Sequence, residues 1–214
     1  MVTLTFLITA GPTREPLDPV RFLSNPSSGR MGFALAEAAM AAGHVVYLIA
    51  GPTCLDPPSA HSVVRVTTAE EMREAVLTRL ADSHVLIMAA AVADYRPASF
   101  SPAKIKKGGG PLTLALERTP DILMEAARIK EHRVHVGFAA ETHDLIENAR
   151  AKLEPKNLDL LVANDITEEG SGFEVETNRA TLLWRDGSIE ALPRMSKQEL
   201  AEHIIQAVVA YYGG

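Results

Sequence analysis

Short runs of β-branched and aliphatic residues recur along this chain, and helical patterns separate most of them. Val2–Ala10, Val45–Ala50, Val63–Val66, Val85–Ala91, Val134–Ala139 and Leu158–Ala163 are mostly apolar at successive positions. That pattern suits strands covered by helices on both faces of a sheet. Between them, Met31, Leu35, Ala38 and Ala42 recur at helical spacing within Gly29–Ala42, which stops at Gly43. Ser27-Ser28 is the predicted cap of that helix. Thr68 and Glu71 form a capping-box pattern before Ala69–Ala81. Pro120 suits the first turn of a helix reaching about Lys130, and Asp144–Leu153 predicts another.

This alternation predicts an α/β fold: a Rossmann-like, mostly parallel sheet flanked by helices, with right-handed crossovers. After Gly172 the texture changes. Ala180–Trp184 and Ile189–Leu192 flank Asp186-Gly187, which predicts a late antiparallel hairpin. Ser196 and Glu199 then predict the cap of a last helix ending near Tyr212. With 214 residues, 47% of them apolar, the expectation is a single domain over 1–214.

The net charge of −6 argues against nucleic-acid or membrane binding, both of which need a basic footprint. Cys54 is the single cysteine, so no intramolecular disulfide forms, as suits a reducing compartment. The opening Met1–Ala10 lacks a basic region and a cleavage site, and the apolar run Val85–Ala93 is far short of the ~20 residues that span a bilayer. The expected location is the cytoplasm. His132 and His135 have no further ligands at metal spacing, so no metal-ligating residues are expected.

In open α/β sheets ligands bind beyond the carboxyl ends of the strands. That rule selects Gly11–Arg30, Gly51–Cys54, Ala89–Lys107, Phe138–Thr142 and Asn164–Gly172. The loop before the first helix is long and ends in Ser27-Ser28-Gly29-Arg30-Met31-Gly32. Free N–H groups and a helix dipole there suit a phosphate, although the same glycines also serve close packing. Met88-Ala89-Ala90-Ala91 leaves room for a flat ring or acyl chain. Asp94 suits a ribose hydroxyl, a base amine, a metal ion or merely a turn. Lys104-Ile105-Lys106-Lys107 before three glycines reads either as a solvated loop or as a flap that brings ammonium groups onto phosphates. Lys152 and Lys156 add charge or solvate the surface.

The series G-x-T-R-E-P-x-D-P-V-R-x-x-x-N-x-S-S-G-x-M-G, A-A-V-A-D-Y, K-I-K-K, P-D-I, G-F-A-A-E-T and A-N-D runs from Gly11 to Asp165 and continues through Gly172-Phe173. It closely resembles phosphopantothenate–cysteine ligase, in many bacteria the C-terminal half of a bifunctional protein. The resemblance implies that Asn25 contacts the acyl-nucleotide intermediate and that Arg21 helps bind it from the neighbouring subunit of a homodimer. It implies that Lys104 completes the reaction. Met88, Ala89, Ala90, Asp94, Phe138, Lys152, Lys156 and the segment Pro120, Asp121, Ile122, Leu123 fall where the family binds CTP, and Ala90 and Ala91 also face the acyl substrate. Gly11, Ser27, Gly29 and Gly32 match its phosphate-facing loop. Pro26 stands where a non-proline is expected, and Arg30 where lysine is frequent.

The reaction so implied joins 4'-phosphopantothenate to cysteine with CTP and Mg²⁺, through an acyl-cytidylate. A separate flavin decarboxylase is a further expected partner. A non-catalytic nucleotide-binding module is the alternative. An NAD(P)-dependent oxidoreductase fits less well, because Gly29-x-x-Gly32 comes long after the first strand and the second ends in Gly51-Pro52 where an acidic residue is needed.

Overall fold

The computed structural model describes residues 2–141, 151–165 and 177–213. Its elements in chain order begin with β1 (Thr5–Ala10), β2 (Arg14–Pro16), β3 (Phe22–Ser24), α1 (Arg30–Ala41), β4 (Val45–Ala50) and β5 (Ser62–Arg65). There follow α2 (Ala69–Leu80), β6 (Val85–Met88), β7 (Tyr95–Pro97), β8 (Leu116–Arg118), α3 (Ile122–Ala127) and β9 (Val134–Glu141). The chain closes with β10 (Leu160–Asp165), β11 (Thr177–Asn178), β12 (Ala180–Trp184), β13 (Ile189–Ala191), β14 (Met195–Ser196) and α4 (Lys197–Gly213).

Eight strands form one sheet in the order β13-β12-β10-β9-β6-β1-β4-β5. The six from β10 to β5 are parallel neighbours, and β12 and β13 extend the β10 edge antiparallel. This is the predicted Rossmann-like fold with its late hairpin. Chain order runs outward from β1 in one direction through β4 and β5, and in the other from β6 through β9 and β10. The sheet therefore reverses its winding between β1 and β6, where such folds open a crevice.

Both faces are covered, for the reason visible in the sequence. Phe6, Ile8 and Ala10 point to a layer formed by α1 and α4, where Leu35, Ala39, Ile204 and Val208 are buried. Leu7 faces α2 and α3, against Met72, Val76, Leu80 and Ile122. Each fully buried aliphatic side chain contributes roughly 1.5–3 kcal/mol, so a strand buried on both faces is held twice. Gly32 sets the closeness of α1 to β1: a Cβ there would lie 2.5 Å from the Ala10 Cβ and 2.8 Å from the Thr9 carbonyl oxygen.

Several boundaries differ from the sequence reading. β1 begins at Thr5. Ser27-Ser28 do not cap α1; Gly29 takes the N-cap position at φ 80 with no side-chain cap, a left-handed conformation that favours glycine. Asp121, whose side chain accepts from the Met124 N–H, caps α3, so Pro120 lies one residue outside, and the helix ends at Ala127. The capping boxes at Thr68/Glu71 and Ser196/Glu199 both form. The long first loop contains the β2–β3 hairpin, and the stretch after Asp94 contributes β7, which pairs with β8. Most of Asp144–Leu153, Thr142 and Gly172-Phe173 lie outside the described residues. Among the described residues no helix is long and apolar enough to cross a membrane.

Candidate active site

The ends of β1 and β6 are laced together before any ligand arrives. The Ala90 N–H donates to Thr9 Oγ1 (3.2 Å), Ala91 N–H to the Gly11 carbonyl (2.9 Å) and Ala93 N–H to Thr13 Oγ1 (3.0 Å). These bonds hold Ala89–Ala93 as a small-residue floor. Asn25, just beyond β3, reaches across it. Its Nδ2 donates to the Val92 carbonyl at 3.1 Å and lies 3.5 Å from that of Ala91. With the amide nitrogen committed to the strand end, Oδ1 is left for a ligand. The Ser27 N–H donates to the Asn25 carbonyl at 2.9 Å, so the chain turns tightly over Pro26.

Above this floor is a cavity of about 700 Å³. Among the residues expected to act, Asn25, Ser27, Gly29, Gly32, Met88, Ala89, Ala90, Ala91, Asp94, Pro120, Asp121, Ile122, Leu123, Phe138, Lys152 and Lys156 line it. Its charge is opposite to that of the chain. Arg30, Arg118, Lys152, Lys156 and Lys197 face two carboxylates, Asp94 and Asp121, in a chain of net charge −6. Lys156 pairs with Asp121 at 2.9 Å. Among the described residues Asn164 Oδ1 is buried without a hydrogen-bond partner, and a ligand donor would satisfy it.

Gly11, Arg21 and Lys104 do not line the cavity. Gly11 lies beneath it at φ 78. A Cβ on Gly29 would come 3.3 Å from the Gly11 nitrogen and 2.8 Å from the Thr53 methyl. Gly11 thus lets the N-cap of α1 approach the end of β1, which is a packing role. Arg21 belongs to a separate cluster around Asp18, whose side chain is fully buried. Asp18 accepts from the N–H groups of Val20 (2.8 Å), Arg21 (2.8 Å) and Ile105 (3.1 Å). The Arg21 guanidinium pairs with Asp18 at 3.3 Å and donates to the Ile105 carbonyl at 3.0 Å. Burial works to raise the Asp18 pKa, but the three N–H donors and Arg21 hold it below the usual carboxylate value. Lys104, next to Ile105, is thereby tied at one end to the loop that carries Arg21.

Arg30, Met31, Val92, Tyr95, Arg118, Thr119, Ala139, Asn164, Asn178 and Lys197 also line the cavity. Arg118 and Thr119 adjoin Pro120 in sequence and were within reach of the motif reading. Asn178 and Lys197 carried no local signal, since the antiparallel pairing of β11 with β14 brings them there. Among the described residues no cluster of three or more His, Cys, Asp or Glu is placed to hold a metal ion.

The chain matches the DNA/pantothenate metabolism flavoprotein C-terminal domain (DFP) over residues 1–212. It belongs to that family. Within it, the chain is 49% identical over 205 residues to the coenzyme A biosynthesis bifunctional protein CoaBC of Bacillus subtilis, covering 95% of this chain and 50% of that protein. It therefore spans about half the length of the curated relatives it matches. The solved C-terminal domain of a CoaBC is 40% identical with a TM-score of 0.84, covering 99% of this chain and 98% of that one. A mutant Cab2 in complex with phosphopantothenate-cysteine shares the fold at 19% identity and a TM-score of 0.77, covering 98% of this chain and 86% of that one.

Proposed function

We propose that this chain is a phosphopantothenate–cysteine ligase domain, one domain over 1–214, acting in the cytoplasm in coenzyme A synthesis. The observation that carries the reading is the cavity at the β1/β6 switch point, where Asn25 is fixed over a small-residue floor and basic side chains outnumber acidic ones in an acidic protein. Such a cavity suits two phosphorylated substrates at once. The CoaBC names of relatives that share the whole of this domain support the same reaction.

A carboxylate does not condense with an amine at neutral pH, because hydroxide is too poor a leaving group. In the proposed reaction the phosphopantothenate carboxylate attacks the α-phosphorus of CTP, and the bond to the β-phosphate oxygen breaks to release pyrophosphate. The cysteine amine then attacks the acyl carbon of the acyl-cytidylate. The bond to CMP breaks, the amide forms, and the amine proton passes to solvent. Positioning and charge neutralisation account for most of such catalysis. Asn25, neutral and oriented by the Val92 carbonyl, holds the anionic intermediate without transferring a proton. Lys104 enters from the flap to finish the second half-reaction. Phe138, the Pro120–Leu123 segment and the ammonium groups of Lys152 and Lys156 hold the nucleotide.

Mg²⁺ typically binds through one or two carboxylates plus substrate phosphates and keeps its remaining waters. The cavity fits that use. The Asp94 carboxylate lines it and, among the described residues, makes no hydrogen bond or ion pair, whereas Asp121 is engaged by Lys156. Asp94 would hold the ion, which supplies charge neutralisation at the phosphates when bound.

We further propose a homodimer. Val20, Phe22, Tyr95, Phe100, Leu112 and Leu116, on or beside the two small hairpins, are each at least 47% exposed. An apolar surface of this kind calls for a partner, and a second copy would account for Arg21 lying outside its own cavity. A flavin decarboxylase, fused or separate, remains the expected neighbour in the pathway. Mass-spectrometric assay of phosphopantothenoylcysteine from phosphopantothenate, cysteine and Mg²⁺, with CTP beside ATP, tests the function. Product with CTP in large excess over ATP is expected. Nucleotide binding without product would leave the non-catalytic module.

A further inference from the structure

The β7–β8 hairpin, from which the lysine flap extends, presents two faces of different use. Side chains on a strand alternate between faces, and the register pairs Arg96 with Glu117 and Tyr95 with Arg118. On one face Arg96 Nε donates to Glu117 at 2.8 Å, and the guanidinium lies 3.9 Å from the Glu70 carboxylate of α2. On the other face Tyr95 and Arg118 line the cavity. The strand is pinned directly after Arg118. The Thr119 N–H donates to the Asp94 carbonyl at 3.0 Å, and the Thr119 hydroxyl donates to the Ala93 carbonyl at 2.5 Å. Arg118 itself is exposed, and among the described residues no carboxylate lies within ion-pair distance of it.

These backbone bonds set Arg118 close to the reacting atoms. Asn25, which holds the acyl intermediate, is bonded to the Val92 carbonyl, and Thr119 is bonded to the carbonyl of the very next residue. Two of the three substrates carry phosphates. The third, cysteine, offers an anion of a different shape: one carboxylate, attached to the same carbon as the amine that must attack. A guanidinium is a planar fork that meets a carboxylate through two parallel N–H···O bonds, whereas an ammonium is a point charge. Two bonds to the carboxylate fix the direction of the amine as well as its distance, which is what an attack on a held acyl carbon needs.

We propose that Arg118 receives the carboxylate of the amino-acid substrate and so aims its amine at the acyl carbon beside Asn25. The proposal rests on the ligase reading and adds to it a subsite for the third substrate. Arg118 binds and orients, and moves no proton. The amine nitrogen bonds to the acyl carbon, the bond from that carbon to the CMP phosphate oxygen breaks, and the amine proton passes to solvent.

Cysteamine, which is cysteine without its carboxylate, isolates this contact. Initial rates of amide formation would be measured with each amine for wild type, Arg118→Gln and Arg118→Lys, at saturating CTP, Mg²⁺ and phosphopantothenate. Arg118→Gln should lower kcat/KM for cysteine by at least about tenfold, as loss of a charge-assisted contact implies, while kcat/KM for cysteamine stays as in wild type. Arg118→Lys should recover part of the loss. The burst of pyrophosphate formed without any amine should keep its wild-type rate and amplitude in Arg118→Gln, which a misfolded variant would not achieve. Equal losses with cysteine and cysteamine would overturn the subsite, as would an unchanged kcat/KM for cysteine. A raised KM for CTP or phosphopantothenate, or a slowed burst, would assign Arg118 to a phosphorylated substrate and also overturn it. Wild-type protein that forms an amide with neither amine would instead defeat the ligase reading itself.

Discussion

Asn25 shows how much one amide can be asked to do by its surroundings. Its Nδ2 points at two backbone carbonyls, those of Val92 and Ala91, so Asn25→Asp replaces a donor by an anion facing two acceptors. The same charge would confront an anionic intermediate. Turnover should fall by about 10²–10³-fold, the scale of losing one preorganised contact, and steady-state kinetics would read it. Near wild-type turnover would remove Asn25 from the site. His135 tests the scaffold instead. It is buried on β9 with neither ring nitrogen hydrogen-bonded. Burial, reinforced by the charges of Lys130 and Arg133, lowers its pKa from 6.5 to about 3. Between those values the unfolded chain binds a proton that the native protein does not, so stability falls as pH drops through that window. At pH 5 this group alone should cost on the order of 2 kcal/mol. Urea unfolding at pH 7 and pH 5 should show that loss in wild type and a smaller one in His135→Leu. An equal loss in both proteins would contradict the assignment.

At the level of elements, the flap and the first loop behave as one piece because Asp18 clamps both. Asp18→Ala removes the acceptor for three N–H groups and the partner of Arg21. It should lower kcat at least about tenfold, as misplacement of a catalytic group does, while nucleotide affinity stays close to wild type. Rapid-quench analysis should then find acyl-cytidylate accumulating, as it should in Lys104→Gln. A variant that loses nucleotide binding instead would place Asp18 in the scaffold of the cavity. Strands such as Thr5–Ala10 announced themselves because burial on both faces demands an uninterrupted apolar run. The hairpins β2–β3 and β7–β8 are three-residue pairings broken by prolines, too short for an alternation signal. The strand-end rule found the floor of the cavity and Asn25, since both follow from parallel topology. Lys197 and Asn178 could not be found that way, because a long-range antiparallel pairing delivers them. Gly11 lies beneath the cavity and not on its lining, where its positive φ serves the close approach of α1 to β1.

At the scale of the whole molecule, exposed apolar side chains such as Phe22 and Tyr95 lie beside an Arg21 that does not line its own cavity. If Arg21 acts across a subunit boundary, mixing Arg21→Ala with Asn25→Asp protomers creates one intact site in each heterodimer. After dissociation and reassembly, up to about a quarter of wild-type activity should return, although each variant alone is nearly inactive. Activity no greater than the sum of the two would confine each site to one chain. Activation of a carboxylate by a nucleotide in this cavity would show itself within a single turnover. Protein in excess would be mixed with CTP, Mg²⁺ and phosphopantothenate without cysteine, then quenched for pyrophosphate and for the acyl-cytidylate by mass spectrometry. Both should appear in equal amounts, dependent on phosphopantothenate, with cysteine converting the intermediate to amide and CMP. Pyrophosphate released without phosphopantothenate, or no release from protein that binds CTP, would contradict that activation.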